Sequence, residues 1–282
     1  MSRMLKEKIA LLLLLLPGAG FILAFFVLPL IATVLSSFGL INFAGESGFT
    51  LAHYSELKKD FYSVAFIFSL WIGLGSSFGS LMIALPLCLI IREKVPGKEL
   101  INSLFKIPLV IPALIATYML MTVIAPHGLF NLVLLKLNII DKPLQLIQDK
   151  WGIGILLVQI WKNVPFQAVI ILAVMESINK ELIDAARNLG AGSWSIIRHI
   201  LIPLSMPGIL VALILVFIRA FGGFEIPLLI GPVYPTTIPV LMYRSAMEDG
   251  NWGLAGALAT VIIVTSILVI AGYNRLSQKV HG

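Results

Sequence analysis

The chain has 282 residues, 59% of them hydrophobic and only 12% charged, with a mean hydropathy of +1.01; a soluble domain carries about 25% charged residues, so lipid is much of this chain's solvent. The formal net charge of +6 does not point to nucleic acid, because the basic residues sit in short patches between long apolar runs, which is what membrane topology produces. The single cysteine, Cys88, lies inside an apolar run and excludes an internal disulfide.

Arg3, Lys6 and Lys8 precede an apolar stretch over residues 9–38. That stretch runs past the roughly 7–15 residues of a signal-peptide core and has no clear small-x-small cleavage site, so it is expected to remain as a membrane anchor. Further apolar runs follow at about 62–91, 104–125, 152–175, 202–221 and 252–273. Each is long enough, at about 20 residues, to cross the hydrocarbon. Backbone polar groups in lipid must bond within their own segment, so these runs are expected to be helices. Prolines 17, 29, 86, 112, 165 and 207 fall in or near them, as membrane helices tolerate. Gly75 and Gly79 form a small-xxx-small pair suited to close helix approach. The expected fold is therefore an all-α integral membrane protein of six spans, a single transmembrane domain over residues 1–282.

Orientation follows from lysine and arginine. With the N-terminus in the cytoplasm, the inside segments hold Arg3, Lys6, Lys8, Arg92, Lys94, Lys98, Lys106, Lys180, Arg187, Arg198, Arg275 and Lys279, and the outside segments hold Lys58, Lys59, Lys136, Lys142, Lys150 and Arg244. Twelve against six places both termini inside.

The most informative stretch, about 176–201, is then cytoplasmic and lies between spans four and five. Ile183, Ala186 and Leu189 or Gly190 recur at helical spacing with Asp184 and Arg187 on another side, which predicts a short amphipathic helix. Gly190-Ala191-Gly192 breaks it, and Ser193 is placed to cap a second short helix from Trp194 to about Leu201. Two helices joined by a bend make a protruding knob, with the Ala185-Ala186 pair allowing a partner to approach closely.

Asp184-Ala185-Ala186, Gly190, then Ile200-Leu201-Ile202-Pro203 resembles the cytoplasmic EAA loop of binding-protein-dependent ABC importer permeases, E-A-A-x(3)-G-x(9)-I-x-L-P. Asp184 stands where the pattern has Glu and Ile202 where it has Leu; the spacing matches throughout. The six-span layout and the loop's position extend the resemblance over most of the chain. It implies a type I importer permease of a bacterial inner membrane, with Asp184, Ala185, Ala186, Gly190, Ile200 and Pro203 as the element that couples to a cytoplasmic ATPase. It also implies a second permease subunit, identical or homologous, and an extracytoplasmic substrate-binding protein as partners. No P-loop is present, since Gly97-Lys98-Glu99 lacks both the preceding glycine and the following Ser or Thr. ATP and Mg are therefore assigned to the partner, and no cofactor to this chain.

Charges inside spans are costly and mark functional candidates. Arg219, near the outer end of span five, and Glu225, beyond Gly222-Gly223, are the candidate substrate-pathway residues, with a structural ion pair between them as the alternative. Lys162 is expected to snorkel to the outer interface. Pro227, Pro232, Pro235 and Pro239 predict an irregular or re-entrant segment over 224–240, a place for a gate or a binding-protein contact. His53, His127, His199 and His281 are scattered without metal-ligand spacing, and no catalytic constellation suggests an enzyme. The loop's form, DAARNLGA followed by IPLSMPGI, looks most like that of polyamine permeases, with phosphonate, iron(III), sulfate or another small ion as alternatives. A secondary transporter is the rival class, and the two-halves repeat it more often carries is not seen.

Overall fold

The computed structural model describes residues 14–41, 47–92 and 97–281. Residues 9–13 of the expected first span, and the topology determinants Arg3, Lys6, Lys8 and Lys94, lie outside them. Among the described residues, six helices are long and apolar enough to cross a membrane: Leu14–Ser37, Asp60–Arg92, Ala113–Lys136, Ile153–Ser177, Ser193–Gly222 and Trp252–Tyr273. The chain is an all-helical integral membrane protein.

It divides into two compact units, Met1–Lys59 with Leu241–Ile263, and Asp60–Val240 with Val264–Gly282. In the first unit the sixth span crosses the first at Gly256, where an added Cβ would lie 2.8 Å from the Thr33 carbonyl oxygen. The Ser37 hydroxyl, 2.7 Å from the Tyr54 hydroxyl, ties the end of the first span to the short helix Ala52–Glu56.

The second unit is built on spans two, four and five. Spans two and four run side by side in the same direction, and Gly75 and Gly79 supply their close approach: an added Cβ would stand 2.8 Å from Leu156 Cδ2 and 2.5 Å from Ile160 Cδ1. Without a hydrophobic drive between helices in lipid, such packing and interhelical hydrogen bonds hold the bundle. The Ser80 hydroxyl donates to Gln167 Oε1 at 2.6 Å, both side chains being fully buried. Ala84, Cys88, Ala168, Ile171, Met175 and Ala212 fill the core below them.

Prolines explain the departures from regular helix. In the first and fifth spans a π-turn, Leu23–Val27 or Ile197–Leu201, precedes Pro29 or Pro203. The Leu28 and Ile202 amides each reach a carbonyl five residues back, that of Leu23 or Ile197, because the next residue has no N–H to continue the ordinary ladder. The expected separate helix over 194–201 is corrected by this: Ser193–Ile196 runs through the π-turn into span five as one continuous helix.

The expected third span over 104–125 is corrected too. It resolves into Lys98–Leu104, Ile107–Val110 and Ala113–Ile124, and the long apolar unit is Ala113–Lys136, itself interrupted before Leu129. Pro112 forces Ile111 into an extended conformation, φ −77° and ψ 124°. Fully buried Asn131 holds the second interruption, donating to the Ala125 and Leu144 carbonyls at 2.9 and 3.0 Å and accepting from the Leu144 amide at 2.7 Å.

Candidate functional site

Two places carry the candidate residues. The first is the segment joining spans four and five. Helix Lys180–Asn188 is opened by Asn179, whose side chain accepts from the Glu181 amide at 3.0 Å, meeting one donor the first turn leaves over. Its end is closed by Gly190 in the left-handed region at φ +86°. The Gly190 amide donates to the Arg187 carbonyl at 2.9 Å and the Ala191 amide to the Ala186 carbonyl at 3.0 Å. Those two bonds form a Schellman cap, which glycine enters without steric strain.

Ile183, Ala186, Ala191 and Ile197 pack on buried Ile178, Ile196 and Leu201 and reach Leu89 of span two. The Arg92 guanidinium donates to the Ile178 carbonyl at 3.4 Å. The knob is thus seated on the ends of spans two and four while its other face is open. Asp184, Ala185 and Gly190 are exposed, as are Leu189 at 89% and Trp194 at 72%. Ala186 and Ile200 are half-buried, and Pro203 is exposed just past the π-turn Ile197–Leu201. The structure therefore brings Asp184, Ala185 and Gly190 onto the exposed side of one short segment and places Ile200 in the π-turn and Pro203 just after it.

The second place is a cleft of about 220 Å³ lined by Gln159, Lys162, Asn163, Arg219, Glu225 and the backbone around Gly223. Both Arg219 and Glu225 reach it, and among the described residues no ion pair joins them. The Arg219 guanidinium instead lies over the Phe166 ring, 5.4 Å from its centroid, a cation–π contact. Glu225 is half-buried on the short helix Glu225–Ile230, which is anchored by buried Ile226 and Ile230. The expected irregular stretch over 224–240 thus consists of this helix, an irregular 231–237 and the start of helix Ile238–Met247.

Lys162 departs from expectation. It is only 5% exposed and does not snorkel; its ammonium donates to the Pro108 carbonyl at 2.9 Å and to the Ile111 carbonyl. The reason lies in the broken third segment. In a continuous helix the Pro108 carbonyl would accept from residue 112, but that residue is proline and has no N–H. A buried carbonyl without a partner is costly, and Lys162 supplies the missing donor.

Gln159 and Asn163, 4% and 1% exposed, complete the polar wall. The Asn163 amide donates to Gln159 Oε1 at 3.1 Å, and Asn163 Oδ1 has no hydrogen-bond partner among the described residues. Sequence reasoning missed this wall, although Gln159, Asn163 and Gln167 recur every four residues through an apolar run, the spacing of one helix face. Among the described residues, no group of three or more His, Cys, Asp or Glu side chains is placed to hold a metal ion.

Comparison with known proteins agrees with this architecture. The spermidine/putrescine transport system permease protein PotB of Escherichia coli strain K12 is 28% identical over 266 residues, covering 93% of this chain and 96% of that protein. The molybdenum transport system permease protein ModB of the same strain is 28% identical over 207 residues, covering 69% of this chain and 85% of that one. Among solved structures, a bacterial ABC transporter involved in the import of the acidic polysaccharide alginate shares the fold, with a TM-score of 0.80 at 22% identity over 97% of this chain and 96% of that one. The methionine ABC transporter MetNI, in an inward-facing conformation, has a TM-score of 0.63 at 17% identity over 80% of this chain and 98% of that one. The family of binding-protein-dependent transport system inner membrane components matches residues 75–282. On that match and on its six-span helical bundle, the chain belongs to the binding-protein-dependent transport system inner membrane components, the multi-pass permease subunits of ABC importers.

Proposed function

We propose that this chain forms the translocation pathway of an importer for a small charged solute of the polyamine kind, and that the segment over 176–201 docks a cytoplasmic ATPase. The observation that carries the docking role is the knob itself. A nine-residue helix presents an exposed carboxylate at Asp184 beside exposed Ala185, Leu189 and Trp194, while its inner face is fastened to the ends of spans two and four. A partner that pulls on this knob moves the bundle. The twelve-to-six basic bias puts it in the cytoplasm with both termini, on the side where ATP is found. A second permease subunit and an extracytoplasmic binding protein complete the importer. A solved alginate transporter of this fold is in complex with a periplasmic protein.

Polyamine is favoured by the similarity to PotB along nearly the whole chain and by Glu225 in the cleft. A second reading, a small oxyanion, is favoured by the cleft's two cations, Lys162 and Arg219, against one carboxylate, and by the similarity to ModB. Vesicles holding the assembled importer, its binding protein outside and ATP inside, separate them. Uptake of labelled spermidine or putrescine supports the first, and uptake of molybdate or sulfate with no polyamine uptake overturns it in favour of the second. In the same vesicles Asp184→Lys and Gly190→Trp are expected to insert normally, since neither touches a span, but to lose ATPase co-purification or uptake per ATP consumed. Wild-type attachment and uptake in both variants would remove the docking role from the knob.

A further inference from the structure

Both cations of the cleft are engaged by uncharged partners. Lys162 is held by the Pro108 and Ile111 carbonyls. The Arg219 guanidinium lies 5.4 Å from the centroid of the Phe166 ring, inside the roughly 6 Å over which a cation is drawn to a ring face. Glu225, the one carboxylate of the lining, makes no hydrogen bond or ion pair among the described residues. An arginine and a carboxylate lining one cleft of about 220 Å³ would ordinarily pair, because the guanidinium fork matches a carboxylate and the bond is charge-assisted.

The packing of spans four and five accounts for their separation. A Cβ added at Gly208 would stand 2.6 Å from Val174 Cγ2, and one added at Gly223 would stand 4.0 Å from Gln159 Nε2. These two approaches fix the helices antiparallel, with Arg219 level with Asn163. Phe166 lies about one turn from that level toward the Ser177 end of span four. Glu225 lies to the other side, since Ile226 and Ile230 of its helix join Ile155 and Val158, near the Ile153 end, in one buried cluster. Arg219 thus stands between two counterparts, a ring and a carboxylate, and its guanidinium is on the ring. Arg219 is exposed, and among the described residues no hydrogen bond or ion pair fastens it there instead.

We infer that Phe166 is a positioning residue of the cleft, whose ring holds the Arg219 guanidinium off Glu225 and so keeps that carboxylate open to the ammonium of a transported amine. This role rests on the polyamine reading of the same cleft. It explains how a lining with two cations and one carboxylate still accepts a cation, because neither resident cation is spent on Glu225. Phe166→Leu removes the ring face and frees Arg219 to pair with Glu225. Phe166→Tyr keeps the face.

The test uses the assembled importer in vesicles, with its binding protein outside and ATP inside. Labelling of Glu225 by a carbodiimide with an amine nucleophile, read by mass spectrometry of the purified chain, needs no substrate. It is expected to fall about fivefold in Phe166→Leu, the ratio that a cation–π contact at an exposed site supplies. Phe166→Tyr is expected to label as the wild type does, and so is the double variant Phe166→Leu with Arg219→Gln, which has no guanidinium to cover the carboxylate. Uptake of labelled spermidine is expected to follow the same order, reduced in Phe166→Leu and recovered in the double variant. A ring that only fills space predicts no recovery, since Arg219→Gln restores no packing. Unchanged labelling in Phe166→Leu, or labelling or uptake that stays low in the double variant, overturns the proposal. Wild-type vesicles that take up no polyamine overturn the amine as occupant, and the labelling tells that failure apart from one at Phe166.

Discussion

The knob around Asp184 and the cleft around Lys162 are both held by hydrogen bonds to backbone, but over very different reaches of chain. The Asn179 cap and the two bonds of the Gly190 turn join residues two to five positions apart. Lys162 reaches back 54 and 51 residues to Pro108 and Ile111, and Ser80 meets Gln167 across 87. The knob's shape is therefore closed locally and only its seating depends on the bundle. The cleft exists only when three separate segments are in place, and its buried ammonium finds its acceptors on a distant segment. A projecting element that must be gripped by a partner tolerates the first kind of construction. A polar wall inside a membrane requires the second, because no solvent replaces a lost partner.

The largest effect expected from this contrast is at Lys162. Lys162→Met keeps an unbranched side chain one atom shorter but leaves the Pro108 carbonyl with no donor, at a loss of about 3 kcal/mol for the buried oxygens together. Thermal unfolding in detergent is expected to shift down clearly, with faster proteolysis between 104 and 113. A wild-type melting curve would show that the clamp holds nothing. Asn131→Ala removes three bonds between Ala125, Leu144 and the helix Leu129–Lys136. The expected loss is about 2 kcal/mol, smaller because Leu144 is partly open to solvent, and hydrogen exchange is expected to rise at Leu144 in particular. Smallest is Asn179→Ala, which deletes one exposed cap bond at about 1 kcal/mol of local helix stability. Global melting is expected to stay at the wild-type value while exchange quickens in Lys180–Asn188 alone. If Asn179→Ala lowered the global melting temperature as much as Lys162→Met, the distinction between a locally closed knob and a jointly built cleft would fail.

Much of the knob was legible because its signals are short-range. Ile183 and Ala186 at helical spacing, an acidic side opposite, and a glycine where the helix must turn each carry their meaning within a few residues, and the structure has the helix at Lys180–Asn188 and the turn at Gly190. The continuation past Gly192 was not legible in the same way. Ser193 looked like the cap of an independent helix, but the following residues pass through a π-turn into span five. That outcome depends on buried Ile196 and Leu201 docking beside Ile178, a contact no local rule anticipates. The third segment misled for a related reason. Its hydropathy is continuous, and periodicity weighs apolar character without the missing N–H of Pro112, which the structure resolves by a break and a distant lysine.

Arg219 and Glu225, the substrate-pathway candidates of the sequence, both line the cleft, and their pairing was open in the sequence. The structure separates them, with Arg219 over Phe166 and Glu225 on its own short helix. It adds Gln159, Lys162 and Asn163 to the lining they share.

By itself, then, the sequence determined the number and approximate course of the apolar helices, since desolvation of the backbone admits only helices over such runs. It also determined the local form of the knob, whose cap and turn residues act on neighbours two to five positions away. Which polar residues meet in the cleft, where span three breaks, and whether Lys162 faces water or two buried carbonyls were decided only by the tertiary structure. Each depends on which segment lies across from which inside the bundle, where an unpaired donor or acceptor has no water to turn to and must find a partner from a distant part of the chain.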